Sequence, residues 1–526
     1  MSDKPPRPKT TLDKDLKKIT RVEAAAQAQG QAVARVGLAL LFLVAVWIFT
    51  SMQGGVFTSF VVAAAVIGGY MAMNIGANDV ANNVGPAVGS KALTLVGAII
   101  IAAIFEAAGA LIAGGDVVST IKDGIIDPSL MPDAATFMTA MMAALLAAAL
   151  WLNLATYLGA PVSTTHAIVG GVMGAGVAST GFGAVDWGTM GKIAASWVIS
   201  PLMGGVIAAA FLYFLKVNVL FKADKIKAAR RWVPAVVAVM AGAFAMYLMT
   251  KGVKHVYKAS VLEVAISGAA VYAAAFFWTR MRIDARAAGM ENRTKSVNQL
   301  FVLPLIISAG LLSFAHGAND VANAVGPLAA IVSAADSGAI LTKAGIPLWV
   351  MLVGALGISI GLLLFGPRLI RTVGEEITKL NPVRAFCVAL SAAVTVLVAS
   401  ALGLPVSSTH IAVGGVFGVG FLREYLERRR DARHPAGALQ ALEAGALEGV
   451  HALEEATPEL LHAPGTPADG DTGDGESKAV DKALRRKLVR RQHAWGIAAA
   501  WIVTVPLSAG LAAVLYVALR GAGVHP

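Results

Sequence analysis

The sequence predicts an all-α, polytopic membrane protein with two inverted-topology repeats, broken or re-entrant helices, and roughly 11–13 membrane segments. Three observations predict this fold class. Of the 526 residues, 57% are hydrophobic and only 14% are charged, whereas soluble domains are about a quarter charged. Many apolar stretches are long enough to cross a bilayer, and two long motifs each occur twice. This composition excludes a soluble enzyme and a disordered chain.

Eleven apolar stretches approach the ~20 residues that a membrane-spanning helix needs. They are 36–53, 56–75, 92–115, 136–158, 190–215, 233–250, 260–279, 298–316, 347–370, 384–403 and 494–520. Four shorter, glycine-rich pieces follow the motif residues and predict half-helices or re-entrant segments. These pieces are 80–90, 164–180, 321–335 and 408–422.

The charged loops predict the orientation of the chain. Lys and Arg concentrate in residues 1–35, 216–231 and 280–295, whereas residues 116–133 are acidic. Short loops rich in Lys and Arg remain in the cytoplasm. We therefore expect the N-terminus and both basic loops inside, and the acidic loop outside.

One small loop opposes this rule, because it carries Lys251, Lys254 and Lys258 on the side that the alternation places outside. No signal peptide is evident, so 36–53 is interpreted as a retained helix. We expect an integral protein of a bacterial inner (plasma) membrane with a cytoplasmic N-terminus.

The main feature of the sequence is its internal repeat. Residues 76–86 read GANDVANNVGP and residues 317–327 read GANDVANAVGP, an offset of 241 residues. Residues 159–174 read GAPVSTTHAIVGGVMG and residues 403–418 read GLPVSSTHIAVGGVFG, an offset of 244. Combined with the loop charges, these motifs predict two homologous halves of opposite topology. Such inverted repeats are typical of secondary transporters, whose substrate site lies near mid-membrane between the repeats.

The predicted organisation has six segments. They are a cytoplasmic N-terminal tail (1–35), a first repeat with an extra N-terminal span (36–215), a linker with a peripheral helical hairpin (216–297), a second repeat (298–422), a hydrophilic cytoplasmic insertion (423–493) and the last span of the second repeat (494–526).

The first motif places an Asn-Asp pair at the end of an apolar stretch in each half. A carboxylate at mid-membrane costs about 2.5–3.5 kcal/mol and is therefore a functional candidate. The alternative is a helix cap, since Asn and Asp are good N-caps. The two interpretations are compatible, because a broken helix also supplies free carbonyls that bind cations. The pairs are Asn78–Asp79 and Asn319–Asp320.

The second motif places three hydroxyl residues two positions after a proline. Proline disfavours helix at the residue before it, and Ser or Thr then caps a new helix. The free N–H groups of such a helix start, together with hydroxyl donors, make an anion site. Plain capping of a re-entrant helix is the alternative. The residues are Ser163, Thr164 and Thr165 after Pro161, and Ser407, Ser408 and Thr409 after Pro405.

Three further titratable residues leave their roles open. His166 and His410 end the second motifs, where a histidine can relay a proton or hydrogen-bond a carbonyl; we favour the structural role. Glu106 lies inside an apolar run and has no clear counterpart in the second half. It is either a cation ligand or a neutral, hydrogen-bonded acid.

Charge balance constrains the ligands of such a site. Two aspartates and an anion in one dehydrated site repel one another. The motif segments contain no Lys or Arg, so metal cations or protons must provide the compensating charge. Na⁺ suits Asp, Asn and carbonyl oxygens, and it would be a transported coupling ion rather than a resident cofactor.

The paired GANDVAN and PVS[ST]TH motifs resemble the inorganic phosphate transporter (PiT) family of cation-coupled phosphate symporters. The resemblance covers about residues 56–422 and the last span, and implies a lipid-embedded homodimer that carries phosphate and Na⁺. The implied phosphate ligands are Asp79, Ser163, Thr164, Thr165, Asp320, Ser407, Ser408 and Thr409. The implied sodium-site residues are Asn78, Asp79, Asn82, Asn319, Asp320 and Asn323.

The chain departs from the family pattern in two places. A threonine common after the motif glycine is Pro86 or Pro327 here, and the long insertion lies at 423–493 rather than between the halves.

The leading interpretation is a transporter that imports phosphate with sodium ions by alternating access. The nearest alternative is a proton-coupled phosphate or sulfate carrier of the same fold. A passive channel and an intramembrane hydrolase using Ser163 with His166 are further alternatives. No HExxH or Walker motif appears, so we expect neither an enzyme nor a nucleic-acid partner.

Overall fold

The computed structural model describes residues 11–53, 58–157, 162–255, 257–339, 345–372, 380–433 and 491–524. In these residues the fold is all-helical, with one isolated antiparallel bridge between Ile126 and Val185. Within them, eleven helical segments are long and apolar enough to cross a membrane. The predicted all-α membrane fold is therefore confirmed.

The helices are numbered in chain order. They are α1 (Thr11–Ser51), α2 (Ser59–Asn78), α3 (Val80–Gly89), α4 (Leu95–Ala113), α5 (Gly115–Ser119), α6 (Ala134–Tyr157), α7 (Thr164–Thr180), α8 (Trp187–Leu215), α9 (Lys225–Tyr247), α10 (Val261–Ala287), α11 (Thr294–Leu300), α12 (Val302–Asp320), α13 (Ala322–Ser337), α14 (Leu348–Thr372), α15 (Pro382–Ala401), α16 (Ser408–Arg433) and α17 (Arg491–Gly521).

Two boundaries differ from the sequence interpretation. Helix α1 begins at Thr11, well before the apolar stretch that starts at residue 36. Helix α16 continues past residue 422 to Arg433, because Leu, Arg and Glu in this stretch favour helix and no Gly or Pro interrupts it. Most of the predicted insertion, residues 434–490, lies outside the described residues.

Helices of the two halves pack against each other reciprocally. Helix α2 packs on α14, and α12, which carries the second copy of the same motif, packs on α4. Likewise α8 packs on α16, and α7 packs on α17. Each half therefore completes the other, and the site motifs lie inside this cross-half packing.

Glycines at equivalent positions permit the close packing of α2 on α14 and of α12 on α4. A Cβ on Gly76 would lie 1.9 Å from the carbonyl oxygen of Ile358, and one on Gly317 would lie 2.1 Å from that of Glu106. Any side chain there would force the helices apart. Since Gly76 and Gly317 are equivalent motif positions, Ile358 is the structural counterpart of Glu106.

A peripheral hairpin of α9 and α10 is fastened to the core by an ionic cluster. Lys251 donates to Asp116 at 2.9 Å and to the carbonyl oxygen of Ala401 at 2.6 Å, and Lys254 also contacts Asp116. Burial raises the pKa of the Asp116 carboxyl, but the two lysines outweigh burial, so its pKa lies below the ordinary value. Two of the three lysines that oppose the orientation rule therefore have an acidic partner.

Candidate functional site

The first motif forms a nearly continuous helix in each half rather than two separate half-helices. Only Asp79 separates α2 from α3, and only Val321 separates α12 from α13. The Asp79 side chain makes no capping hydrogen bond, although its backbone N–H bonds to the carbonyl of Ile75. Capping therefore does not account for this buried carboxylate, which leaves its oxygens for the site.

The second motif forms helix starts, as expected. Ser163 precedes α7 and accepts a hydrogen bond from the His166 backbone N–H at 3.2 Å. Ser407 accepts the equivalent bond from His410 at 3.4 Å. These two serines are N-caps, and their own hydroxyl protons stay available for a ligand. Pro161, which comes before the first of them, lies outside the described residues.

The two halves meet at Thr164. Its hydroxyl donates to Asp79 of the first half at 2.7 Å and lies 3.5 Å from Asp320 of the second half. One oxygen of each aspartate and one ring nitrogen of His316 lie within 4.8 Å of one another. The repeated Asp residues, 241 positions apart in sequence, are therefore brought together in one buried cluster, as the motif duplication predicted.

Two equivalent Asn–Thr pairs join the halves on either side of this cluster. Asn82 donates to Thr409 at 2.9 Å, and Asn323 donates to Thr165 and Thr164 at 3.2 Å each. These pairs connect each first motif to the second motif of the opposite half. The four predicted motif segments thus form one site.

Asn319 has a supporting position in this site. Its amide donates to the Ser400 hydroxyl at 2.9 Å and to the Leu404 carbonyl at 3.1 Å, and its oxygen accepts from the Val406 backbone N–H at 3.2 Å. The side chain therefore holds the loop that leads into the Ser407–Thr409 segment.

Four buried polar atoms of predicted site residues have no hydrogen-bond partner within the described residues. Two are acceptors, Asp320 Oδ1 and Asn323 Oδ1, and two carry donor hydrogens, Asn78 Nδ2 and Ser408 Oγ. Buried polar groups are normally paired. Unpaired acceptors suit a cation and unpaired donors suit an anion, so the donor set fits both predicted ligand classes.

Sequence reasoning missed two residues of the site, His316 and Asn83. His316 Nδ1 lies 2.7 Å from Glu106 Oε2, and its Nε2 lies 3.1 Å from Asp320 Oδ2. Asn83 donates to the other Glu106 oxygen at 2.9 Å. The signal for His316 was present: it is an ionisable residue at the end of an apolar stretch, one helical turn before a motif aspartate.

This Glu106–His316 arrangement has no equivalent in the other half. The positions matching Glu106 and His316 are Ile358 and Ile75, and the position matching Asn83 is Ala324. Glu106 and His316 are fully buried. The two motif aspartates therefore have different surroundings: Asp320 faces a histidine, whereas the equivalent neighbour of Asp79 is aliphatic.

The motif histidines lie behind the helix starts. The rings of His166 and His410 are 4.8 Å apart, and His166 packs at 3.9 Å on Trp197. Trp197 in turn donates to the Pro405 carbonyl at 3.1 Å. This packing agrees with the structural role favoured for both histidines.

One further cation is buried in the fold. Lys122, which lies between the two motifs of the first half, is 3% exposed and lies 3.6 Å from Asp123.

Comparison with known proteins identifies the family. The model of the phosphate transporter family matches residues 75–512, which include all four motif segments. The chain belongs to the phosphate transporter family. A Helicobacter pylori (strain J99) member named "Putative phosphate permease" is 48% identical over 526 residues, covering 96% of this chain and 98% of that protein. A Thermococcus kodakarensis member with the same designation is 39% identical, over 68% of this chain and 87% of its own length.

A solved structure of the same kind supports the fold. It is described as the sodium-dependent phosphate transporter, superposes with a TM-score of 0.72 and is 32% identical. It covers 88% of this chain and 99% of its own. The protein is therefore an integral membrane transporter of this family, as the motifs predicted.

Proposed function

We propose that this protein imports inorganic phosphate together with sodium ions by alternating access. The observation that carries this proposal is the contact of one hydroxyl, that of Thr164, with aspartates from both halves. A single ligand at this point would touch both repeats at once, so its binding can be coupled to their relative movement.

Phosphate fits the hydroxyl side of the site. Helices α7 and α16 begin there, and their first N–H groups and positive dipole ends favour an anion. The Ser408 hydroxyl, buried and unpartnered within the part of the chain that the structure describes, adds a donor. The two capping serines and the threonines complete the proposed phosphate ligands: Asp79, Ser163, Thr164, Thr165, Asp320, Ser407, Ser408 and Thr409.

Sodium ions fit the acceptor side of the site. The aspartate oxygens lie within 4.8 Å of each other, so two full charges repel by at least about 3.5 kcal/mol at an effective dielectric constant of ~20. A phosphate would add to this repulsion, so cations must accompany it. Pro86 and Pro327 lie inside α3 and α13 and lack an N–H, which leaves the carbonyls four residues earlier without their usual helical donor.

Those carbonyls belong to Asn82 and Asn323, so the proline departures from the family pattern provide oxygen ligands rather than remove them. The proposed sodium-site residues are Asn78, Asp79, Asn82, Asn319, Asp320 and Asn323. Asn319 acts by holding the loop into α16. We further propose inverted topology of the two halves, a homodimer, and an inner-membrane location with a cytoplasmic N-terminus.

The decisive experiment is uptake of radiolabelled phosphate into proteoliposomes that contain the purified chain. We expect accumulation above the external concentration when an inward sodium gradient is imposed, and little uptake when choline replaces sodium. Undiminished uptake in choline would reject sodium coupling and favour the proton-coupled alternative. Competition by unlabelled sulfate as strong as that by phosphate would reject phosphate selectivity.

A further inference from the structure

A row of polar side chains follows one face of the first-motif helix. Tyr70, Asn74, Asn78 and Asn82 recur every four residues, so they lie one above another along α2 and α3. The row runs from the body of α2 past Asp79. Its inner members, Asn78 and Asn82, belong to the proposed site, whereas Tyr70 and Asn74 have no part in that site.

The second half lacks the outer part of this row. At the offset of 241 residues, Tyr70 corresponds to Leu311 and Asn74 to Ala315, while Asn78 and Asn82 correspond to Asn319 and Asn323. The duplication therefore preserves the site residues and replaces the other two by apolar ones. Tyr70 and Asn74 are a property of the first half alone.

The two faces also differ in accessibility. Tyr70, Asn74, Asn78 and Asn82 are all partly exposed. Their four counterparts are buried, with Ala315 and Asn323 at 0%. The same contrast holds across the site, where Thr409, the partner of Asn82, is partly exposed and the equivalent Thr165 is fully buried. The site is open along the first-half face and closed along the second-half face.

Asn153 of α6 lies at the outer end of the open face. Its amide donates to the Asn74 oxygen at 3.0 Å and to the Tyr70 hydroxyl, and Asn74 donates to the Tyr70 carbonyl at 3.0 Å. Asn153 is exposed although it lies in a membrane-spanning segment. An amide is costly in lipid, and polar residues inside membranes face the protein interior or a water-filled cavity.

We propose that Tyr70, Asn74 and Asn153 line the water-filled entrance through which ions reach the Asp79–Asp320 cluster. This inference rests on the proposed transport function only for the nature of the ions. The side chains carry no charge and offer both donors and acceptors, so they replace water around a passing cation or anion without trapping either. The conformation described is therefore the one that admits ions along the first half.

Thiol accessibility tests the entrance without requiring transport. Cys387 is the only cysteine and is buried, so Cys387→Ala gives a background for single-cysteine variants in proteoliposomes. We expect a membrane-impermeant methanethiosulfonate reagent to modify Asn74→Cys at least about tenfold faster than the matched variant Ala315→Cys, because thiol reactivity follows exposure. Phosphate with sodium should slow the modification of Asn74→Cys.

Three results would overturn the proposal. They are equal modification of the two cysteines, failure to modify Asn74→Cys, and disulfide-linked dimers of Asn153→Cys, which would make that face an interface between copies. If the labelling contrast holds while phosphate uptake fails, the entrance stands and the proposed function is wrong. If phosphate uptake is sodium-driven while the two cysteines are modified equally, the proposed function stands and the proposed entrance is wrong.

A second experiment replaces Tyr70 and Asn74 by the residue types found at the matching positions of the second half. The double variant Tyr70→Leu with Asn74→Ala removes two hydrogen-bonding side chains along the path and should lower phosphate uptake by at least about tenfold, while the protein stays folded. Leu150→Ala, on the exposed face of α6, is the matched control and should leave uptake unchanged. Wild-type uptake in the double variant would contradict a role for these side chains in ion entrance.

Discussion

His316 of α12 lies 2.7 Å from Glu106 of α4, and both side chains are completely buried. This contact joins the two halves beside the motif aspartates and occurs on one side only. Breaking a buried ionic or hydrogen-bonded pair by removing one partner costs ~3–5 kcal/mol. The pair therefore connects the two halves, and it also constrains the orientation of Asp320, which His316 contacts.

The Glu106–His316 contact predicts an asymmetric response to mutation. Glu106→Gln should lower phosphate uptake by at least about tenfold, because an amide has one acceptor oxygen, whereas Asn83 and His316 each contact a separate oxygen of the carboxylate. Ile358→Val, at the matching position of the other half, should leave uptake within about twofold. Proteoliposome uptake and thermal unfolding in detergent measure both effects. Similar losses in the two variants would contradict a special role for the Glu106 side.

The two motif aspartates are each predicted to be indispensable. Asp79→Asn and Asp320→Asn should abolish concentrative phosphate uptake while the protein stays folded, because each removes a charge that holds a cation. Asp224→Asn is a suitable control, since Asp224 caps α9 at the protein surface and Asn caps equally well. Size-exclusion profiles establish folding, and wild-type accumulation by either motif variant would refute its role as a ligand.

Adjacent serines separate ligand binding from helix capping. Ser408→Ala removes a hydroxyl that has no partner among the described residues, so it should weaken apparent phosphate affinity about tenfold without lowering stability. Ser407→Ala removes a cap as well, which costs about 0.5–2 kcal/mol. It should weaken phosphate affinity and also lower the unfolding temperature. An unchanged half-saturation constant in both variants would count against phosphate at the start of α16.

Close helix packing predicts a steric effect at Gly317. A Cβ there would lie 2.1 Å from the Glu106 carbonyl oxygen, whereas one on Gly310 of the same helix meets only the Phe105 ring at 3.4 Å. Gly317→Ala should therefore destabilise the protein by at least about 1–3 kcal/mol, and Gly310→Ala should be tolerated. Comparing the unfolding temperatures of the purified variants tests this. Equal temperatures would show that α4 and α12 separate easily.

The Asp116 cluster predicts a dependence of stability on pH. Because the pKa of Asp116 is lowered in the folded protein, its contribution is present above the unfolded pKa of about 3.9 and is lost as pH falls through the folded value. Asp116→Asn should cost up to about 1 kcal/mol at pH 7, since the pair is partly exposed and screened. The exposed Asp336→Asn variant is the control. A wild-type advantage that persists unchanged at pH 2 would contradict this account.

The duplicated motifs predicted much of the site because duplication is a long-range signal. They placed Asp79 and Asp320 together, although no local pattern relates residues so far apart in sequence. The lengths of the apolar stretches predicted the eleven spans, because a bilayer sets a minimum length for a membrane-spanning helix. The structural role favoured for His166 and His410 stays a prediction, and their rings lie 4.8 Å apart.

What sequence alone did not predict depends on partners chosen in three dimensions. The role of Glu106 was left open because its partner, His316, lies 210 residues away on a helix of the other half. Asn319 was expected in the sodium site, but its hydrogen bonds to the loop of Leu404 and Val406 could not be predicted, because that loop lies near Asn319 only in the folded protein. The end of α16 was predicted at residue 422 rather than at Arg433, because helix-favouring residues continue beyond the apolar stretch.

The glycine contacts between the halves have a consequence for the origin of the chain. Each half presents bare backbone strips, at Gly76 and at Gly317, that fit only a helix of the other half. A single-length ancestor would have had to recruit a second copy of itself to cover them. Joining the two halves in one chain lets each diverge, and Glu106 facing His316, with isoleucines at the matching positions, is an asymmetry that two identical subunits cannot acquire.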